Sequence, residues 1–171
     1  MVSEAKRAYI GLGANLGDTA ETLARALEAL TAIPQTRLLA VSSAYRSAPI
    51  ESSGPDYLNA VACVESRLAA GDLLERLLAI ELEHGRLRPF VNAPRTLDLD
   101  LLLYGDKQMS TERLTLPHPR LHLRAFVLLP LLELAPSLAA PGLGGLACFV
   151  PALGDQVIVR SELPLRIFKP V

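Results

Sequence analysis

The stretch Arg95-Thr-Leu-Asp-Leu-Asp-Leu-Leu-Leu-Tyr104 decides how the chain is read. From Leu97 onward leucine and aspartate alternate, then the run turns wholly apolar, as in a strand that enters the core from an exposed end. Residues i and i+2 of a strand project from one face, so Asp98 and Asp100 point one way while Leu97, Leu99 and Leu101 point the other. Working outward, Gly71 to His84 has apolar residues at Leu73, Leu74, Leu77, Leu78 and Leu82, the spacing of a helix that Gly85 breaks. Before it, Tyr57 to Ser66 reads as a strand, and Ala48 to Asp56, with two prolines, Gly54 and two serines, as a loop. Arg37 to Ser47 shows loose alternation, with Leu39, Val41 and Tyr45 on one side, and predicts one further strand. At the start, Ala8 to Gly13 reads as a buried strand and Asn15 to Asp18 as a turn. Thr19 is the expected N-cap of a helix from Ala20 to Thr31, with Leu23, Ala26, Leu27 and Leu30 on one face. Downstream, a loop to Leu121 leads to a short helical stretch, Leu123 to Leu134, which Pro130 should kink or limit to a first turn. Beyond Pro136 the chain is rich in Gly and Pro, with one expected strand at Gln156 to Arg160. The order β-α-β-β-α-β predicts an α+β fold of the ferredoxin-like kind, a mixed antiparallel sheet with helices packed against it.

The 171 residues fit a single domain, 1–171, and half of them are hydrophobic, which excludes disorder along the whole chain. Aromatics make up 5 % with no Trp, so the core must be mostly Leu, Ala and Val. Seventeen basic and 18 acidic side chains leave a net charge of −1, which argues against a general nucleic-acid or membrane-surface binder. Residues 1–7 are polar, without the look of a targeting segment. The most apolar run, Ala125 to Leu134, is interrupted by Pro130 and Glu133 and falls short of the roughly 18 residues that a membrane span needs. A cytoplasmic location is expected. Cys63 and Cys148 each sit among apolar neighbours and are expected to be small buried residues.

Two like charges on one strand face repel unless a cation sits beside them, and paired hard oxygen ligands suit Mg²⁺, whose shell water and substrate phosphates complete. The alternative for Asp98 and Asp100 is a half-exposed strand with solvated carboxylates, but aspartate is depleted in strand interiors. Around the pair the charge is uneven. Residues 86–124 hold seven basic side chains (Arg86, Arg88, Arg95, Lys107, Arg113, Arg120, Arg124) against four acidic ones, an excess of three, so the remainder of the chain carries about −4. Guanidinium groups around a Mg²⁺ site are what polyphosphate binding asks for; scattered surface arginines are the alternative. Gly11-Leu-Gly13-Ala-Asn15-Leu-Gly17 is not a phosphate-binding loop, having neither a Gly-Lys-Ser/Thr ending nor G-x-G-x-x-G spacing; close backbone packing and a turn are expected there.

Several blocks in order resemble the 6-hydroxymethyl-7,8-dihydropterin pyrophosphokinases of the folate pathway. They are Ala8 to Gly17, Ser42-Ser-Ala-Tyr-Arg-Ser47, Pro55-Asp-Tyr-Leu-Asn-Ala60, Glu81 to Arg88, Ala93-Pro-Arg-Thr-Leu-Asp-Leu-Asp100, and Glu112 to His118 through Arg124-Ala-Phe126. The resemblance covers residues 8–137 and leaves the tail, 138–171, unassigned. It implies transfer of pyrophosphate from Mg-ATP to the hydroxymethyl group of a dihydropterin, leaving AMP. It further implies that Asp98 and Asp100 hold two Mg²⁺ ions, with Arg86 and Arg95 in catalytic roles beside them. Glu81, Arg86, Arg88, Arg95, Arg113, His118 and Arg124 match nucleotide and phosphate contacts, three of those arginines on or beside a loop that closes over ATP. Alone, Glu81 would read as a solvated helix charge. Ser47, Ala48, Pro49 and Ile50 match the lining of the pterin pocket, Asn59 the amide that hydrogen-bonds the ring, and Tyr57 and Phe126 the aromatics that sandwich it. No general base is implied beyond Asp100. The loop between Arg88 and Arg95 lacks the tryptophan common in the family, and Pro119 stands where an aromatic is common. A pterin- or nucleotide-binding module without turnover is the alternative. The expected partners are the two small substrates, with no nucleic acid or membrane, and the expected state is a monomer, with transient contacts to neighbouring folate-pathway enzymes.

Overall fold

Along residues 6–14 large apolar side chains alternate with glycine and tyrosine, which gives one strand two unlike faces. In the computed structural model, which describes residues 3–48, 54–84 and 97–161, this strand is β1 (Lys6–Ala14). It lies between β4 (Tyr57–Ser66) and β5 (Asp98–Tyr104), antiparallel to both. β2 (Thr36–Val41) and β3 (Tyr45–Ser47) pair in turn with β4. Two small antiparallel pairs follow, β6 (Met109–Ser110) with β7 (Thr115–Leu116) and β8 (Ala139–Ala140) with β9 (Gly144–Gly145). β10 (Ile158–Arg160) then adds to the free side of β3. The central strand order, β3 and β2 beside β4, then β1, then β5, is the split β-α-β arrangement expected from the sequence, and each of these ladders is antiparallel.

Helices α1 (Thr19–Thr31) and α2 (Ala70–Glu83) cover one face of the sheet. Leu23, Leu27 and Leu30 of α1 and Leu73 and Leu77 of α2 pack there on Ile10, Leu12, Leu58, Ala60, Leu99 and Leu101. On the other face, α3 (Ala125–Leu134) and a 3-10 helix (Leu146–Leu153) cover Tyr9, Val61, Cys63, Leu102 and Leu103. A register shift between Tyr9 and Ile10 gives β5 one extra residue, so the consecutive Leu102 and Leu103 both join the second layer while Leu101 and Tyr104 stay in the first.

Local chemistry adjusts several expectations. The N-cap of α1 is Asp18, not Thr19: its carboxylate Oδ1 accepts from the Glu21 N–H at 3.1 Å. The strand expected over 37–47 is two strands, because Ser42 turns inward and its hydroxyl accepts from the Val61 N–H at 2.9 Å. Leu82 is 69 % exposed while Ile80 is buried, so the buried stripe of α2 runs through 73, 77 and 80. α3 continues past Pro130 to Leu134: the lost N–H is outweighed by burial of Ala125, Val127, Leu128 and Leu131. Cys63 is buried, but Cys148 is exposed on the 3-10 helix.

α3 is braced to the β2–β3 corner through Glu133, which accepts from the Ser43 N–H (2.7 Å) and the Tyr45 hydroxyl (2.5 Å), with Arg160 at 4.0 Å. Burial alone would raise the Glu133 carboxyl, but these donors and the guanidinium hold it below its ordinary value. Burial and the Glu133 contact push the Tyr45 hydroxyl up to about 12. A depressed carboxyl stabilises the fold fully above its unfolded value of 4.5 and loses that contribution as pH falls through the lower folded value. On the alkaline side, Tyr45 withdraws its contribution between its ordinary 10.0 and about 12. Melting curves of Glu133→Gln and the parent chain are therefore expected to differ most from neutral pH up to about pH 9 and to converge below the ordinary carboxylate value. A gap unchanged at pH 3 would contradict the brace.

Candidate functional site

The site grows from the face of β1 that carries glycine. Register places Gly13 between Asn59 of β4 and Asp98 of β5, and Gly11 between Val61 and Asp100. These two residues form a floor without side chains between the acidic pair and the polar end of β4. A Cβ on Gly13 would stand 3.2 Å from Asn59 Oδ1, and one on Gly11 would stand 3.5 Å from the Leu102 side chain. The close packing expected of the glycine-rich segment is thus found at Gly13, in the service of a cleft, whereas Gly17 has open space around it and serves the turn with a φ of +67°.

Two cavities meet here, the first of them over this floor. One, of about 130 Å³, is bounded by Tyr57, Asn59, Ser47, Ala48, Arg124 and Phe126. The other, of about 310 Å³, is bounded by Glu81, Arg113, Thr115, His118 and Pro119. Asp98 and Asp100 line both. The alternation of β5 is the cause: with Leu97, Leu99 and Leu101 buried in the helix-covered layer, the half-buried carboxylates must face the cleft.

In the first cavity, Asn59 is 4 % exposed, and its Nδ2 donates to Ser47 Oγ (2.8 Å) and to the Tyr45 carbonyl (3.3 Å). Because a carbonyl can only accept, the amide is oriented with Oδ1 over the glycine floor. Tyr57 begins β4 and Phe126 sits in the first turn of α3, so two elements bring the aromatics together. The Arg124 guanidinium lies over the Phe126 ring, 5.5 Å from its centroid.

The second cavity differs in character. Glu81 is 2 % exposed, not a solvated helix charge, and its Oε2 accepts from the Leu99 N–H at 3.1 Å. That amide lies between the two aspartates, so Glu81 fixes the backbone that presents them. The His118 N–H donates to the Leu102 carbonyl at 2.9 Å, and its ring Nδ1 accepts from the Arg120 N–H at 3.1 Å, which leaves Nε2 to carry the proton. Burial, then Arg124 and Arg120, lower the imidazole below its ordinary 6.5. Arg113 is exposed and paired with Glu75 of α2 at 3.0 Å, a weak surface contact that an anion can displace.

Of the site residues expected from sequence, Ser47, Ala48, Tyr57, Asn59, Glu81, Asp98, Asp100, Arg113, His118, Arg124 and Phe126 thus line one cleft. Arg124, expected with the nucleotide contacts, lines the aromatic cavity next to the aspartates. Pro49, Ile50, Arg86, Arg88 and Arg95, and with them the expected closing loop, lie outside the described residues. Sequence reading missed the glycine floor; its signal was the two-residue spacing of Gly11 and Gly13 on a strand, in phase with Asp98 and Asp100. It also missed Asn15, at the end of β1, which is 2 % exposed and whose side-chain amide has no hydrogen-bond partner among the described residues.

The donor set fits Mg²⁺. Asp98 and Asp100 offer hard oxygens from one strand face where two cavities meet, and phosphate and water oxygens have room to complete a shell. Among the described residues, no group of three or more His, Cys, Asp or Glu side chains gathers into a self-sufficient metal site.

Residues 9–136 match the family model described as 7,8-dihydro-6-hydroxymethylpterin-pyrophosphokinase. The chain is 47 % identical over 137 residues to the 2-amino-4-hydroxy-6-hydroxymethyldihydropteridine pyrophosphokinase of Pseudomonas aeruginosa, covering 80 % of this chain and 85 % of that one. To the Haemophilus influenzae protein of the same name it is 42 % identical over 154 residues, covering 90 % and 96 %. Its fold is similar to that of a crystal structure of Plasmodium falciparum HPPK-DHPS with pterin and p-hydroxybenzoate, at a TM-score of 0.70 and 13 % identity, over 89 % of this chain and 42 % of that one.

Proposed function

This chain belongs to the 7,8-dihydro-6-hydroxymethylpterin-pyrophosphokinase family and carries out the pyrophosphokinase step of folate synthesis, and from that premise we propose how its two cavities divide the substrates. The aromatic cavity takes the dihydropterin. Tyr57 and Phe126 flank the flat ring, and Asn59 Oδ1, its amide hydrogens already committed to Ser47 and Tyr45, accepts from the ring N–H groups. Ser47 and Ala48, joined by Pro49 and Ile50 through the family resemblance, close the edge of the ring site. The second cavity takes the triphosphate of ATP, with Arg113 and His118 as its contacts and Glu81 as the group that fixes the aspartate backbone. Arg86, Arg88 and Arg95 complete the phosphate contacts through the resemblance, and Arg124 stands where the two cavities join.

Asp98 and Asp100 would hold two Mg²⁺ ions. When bound, these ions supply positive charge that neutralises the phosphate oxygens. In the reaction the pterin hydroxyl oxygen bonds to the β-phosphorus, the bond from that phosphorus to the α-bridging oxygen breaks, and AMP leaves with the electron pair as the hydroxyl proton is released. The chain's own residues contribute position above all: the strands hold both substrates in line on either side of Asp98 and Asp100, and arginines offset the charge on the transferring group. The observation that carries the reading is that Asp98 and Asp100 line both cavities.

Incubation with ATP, Mg²⁺ and 6-hydroxymethyl-7,8-dihydropterin is expected to release one AMP per pterin diphosphate formed, and none with either substrate omitted or with EDTA in excess. Binding of both substrates by calorimetry without AMP release would favour the module lacking turnover. We place the reaction in the cytoplasm, with the chain acting as a monomer, which light scattering during size exclusion tests. Among the described residues, no helix is long and apolar enough to cross a membrane.

A further inference from the structure

Beyond the family-matched residues 9–136, the side chain of Gln156 reaches the backbone on either side of Arg124, a residue that lines the cleft. Its Nε2 donates to the Leu123 carbonyl at 2.9 Å, and its Oε1 accepts from the Ala125 N–H at 2.8 Å. Those two backbone groups flank Arg124, whose backbone is extended (φ −123°, ψ 120°). In an extended residue the preceding carbonyl and the following N–H point to the same side, where a neighbouring strand would pair with them. The amide of Gln156 takes the place of that strand. It satisfies the first N–H of α3, a helix start with no side-chain cap of its own. Gln156 is itself held: its N–H donates to the Leu153 carbonyl at 3.0 Å, and two residues later β10 pairs with β3.

We propose that Gln156 is a positioning residue for the cleft: its amide locks the extended turn at Arg124, and so sets where the Arg124 guanidinium and the Phe126 ring stand over the substrates. The inference rests on the proposed substrate contacts of Arg124 and Phe126. Without the bracket, Arg124 loses the restraint on its φ and ψ and the first turn of α3 frays. The aromatic wall then samples positions away from Tyr57. Misplacement on the ångström scale costs catalysis out of proportion to stability.

Gln156→Leu, which keeps the volume and removes both hydrogen bonds, is expected to raise the KM for the hydroxymethyl-dihydropterin about tenfold, with kcat within about threefold and the melting temperature within about 2 °C. Gln156→Glu keeps the acceptor for Ala125, loses the donor to Leu123, and should recover part of the KM. In an Arg124→Ala, Phe126→Ala background the Leu substitution should cost nothing further, since the groups it positions are gone. A pterin KM within twofold of the parent overturns the proposal. So does an equal loss in both backgrounds, which would mark Gln156 as merely structural. If the Arg124 and Phe126 substitutions by themselves leave both KM values unchanged, the substrate assignment of the wall has failed, and the bracket's role in catalysis falls with it.

Discussion

Asp98→Ala and Asp100→Ala are each expected to cut AMP release at least a thousandfold, about 4 kcal/mol of barrier, while the chain melts close to the parent temperature. The asymmetry comes from where the carboxylates sit. They are half-buried on the open face of β5, whereas the leucines that alternate with them carry the packing. Removing one carboxylate relieves its repulsion with the other and opens no cavity in the core. It also takes away half of the oxygen set offered where the cavities join, and two separate residues fitted to one function give effects that are similar and not additive. Single-turnover AMP formation followed by chromatography, beside thermal melting, is the measurement. Turnover within tenfold of the parent for either variant would remove the pair from the metal role.

Asn59→Ala should raise the KM for the pterin about a hundredfold, because two losses coincide there. The ring loses its acceptor, and the Tyr45 carbonyl and Ser47 hydroxyl lose the donor that ties β3 to β4. A buried polar group left without its partner costs about 1–3 kcal/mol, so this variant, unlike the aspartate ones, should also melt earlier. Steady-state kinetics with each substrate varied in turn at saturation of the other separates the two: the KM for ATP should move less than threefold. A pterin KM within threefold would mean that Asn59 serves the sheet alone.

How far the sequence could be read follows from the range of each interaction. The Asp98-Leu-Asp100 face was legible because a strand's period of two is local and strict, and α1 and α2 were legible because the helical period of 3.6 is equally local. Glu81 was not: its helix spacing fits solvent as well as interior, and a partner 18 residues away, the Leu99 N–H, ties it to the interior. Leu82 and Ile80 exchange burial because α2 meets the sheet a little off the stripe that leucine counting suggests. The Tyr9–Ile10 bulge has no composition signal, yet it puts two consecutive leucines, Leu102 and Leu103, into one layer. Gln156 sat in a Gly- and Pro-rich tail where no periodicity points anywhere, and its two partners lie more than 30 residues away.

The thickness of one sheet separates two kinds of tolerance. The face beneath α1 and α2 carries the larger of the two apolar clusters, and the cleft's floor, aspartates and amide are mounted on the reverse of the same three strands, positioned by main-chain hydrogen bonds. Drift among the leucines of α1 that line neither cavity, Leu23, Leu27 and Leu30, therefore changes how much of the chain is folded at a given temperature, not how well a folded molecule recognises its substrates. Lineages can retune the thermal range of such a protein on one side without reopening its specificity on the other.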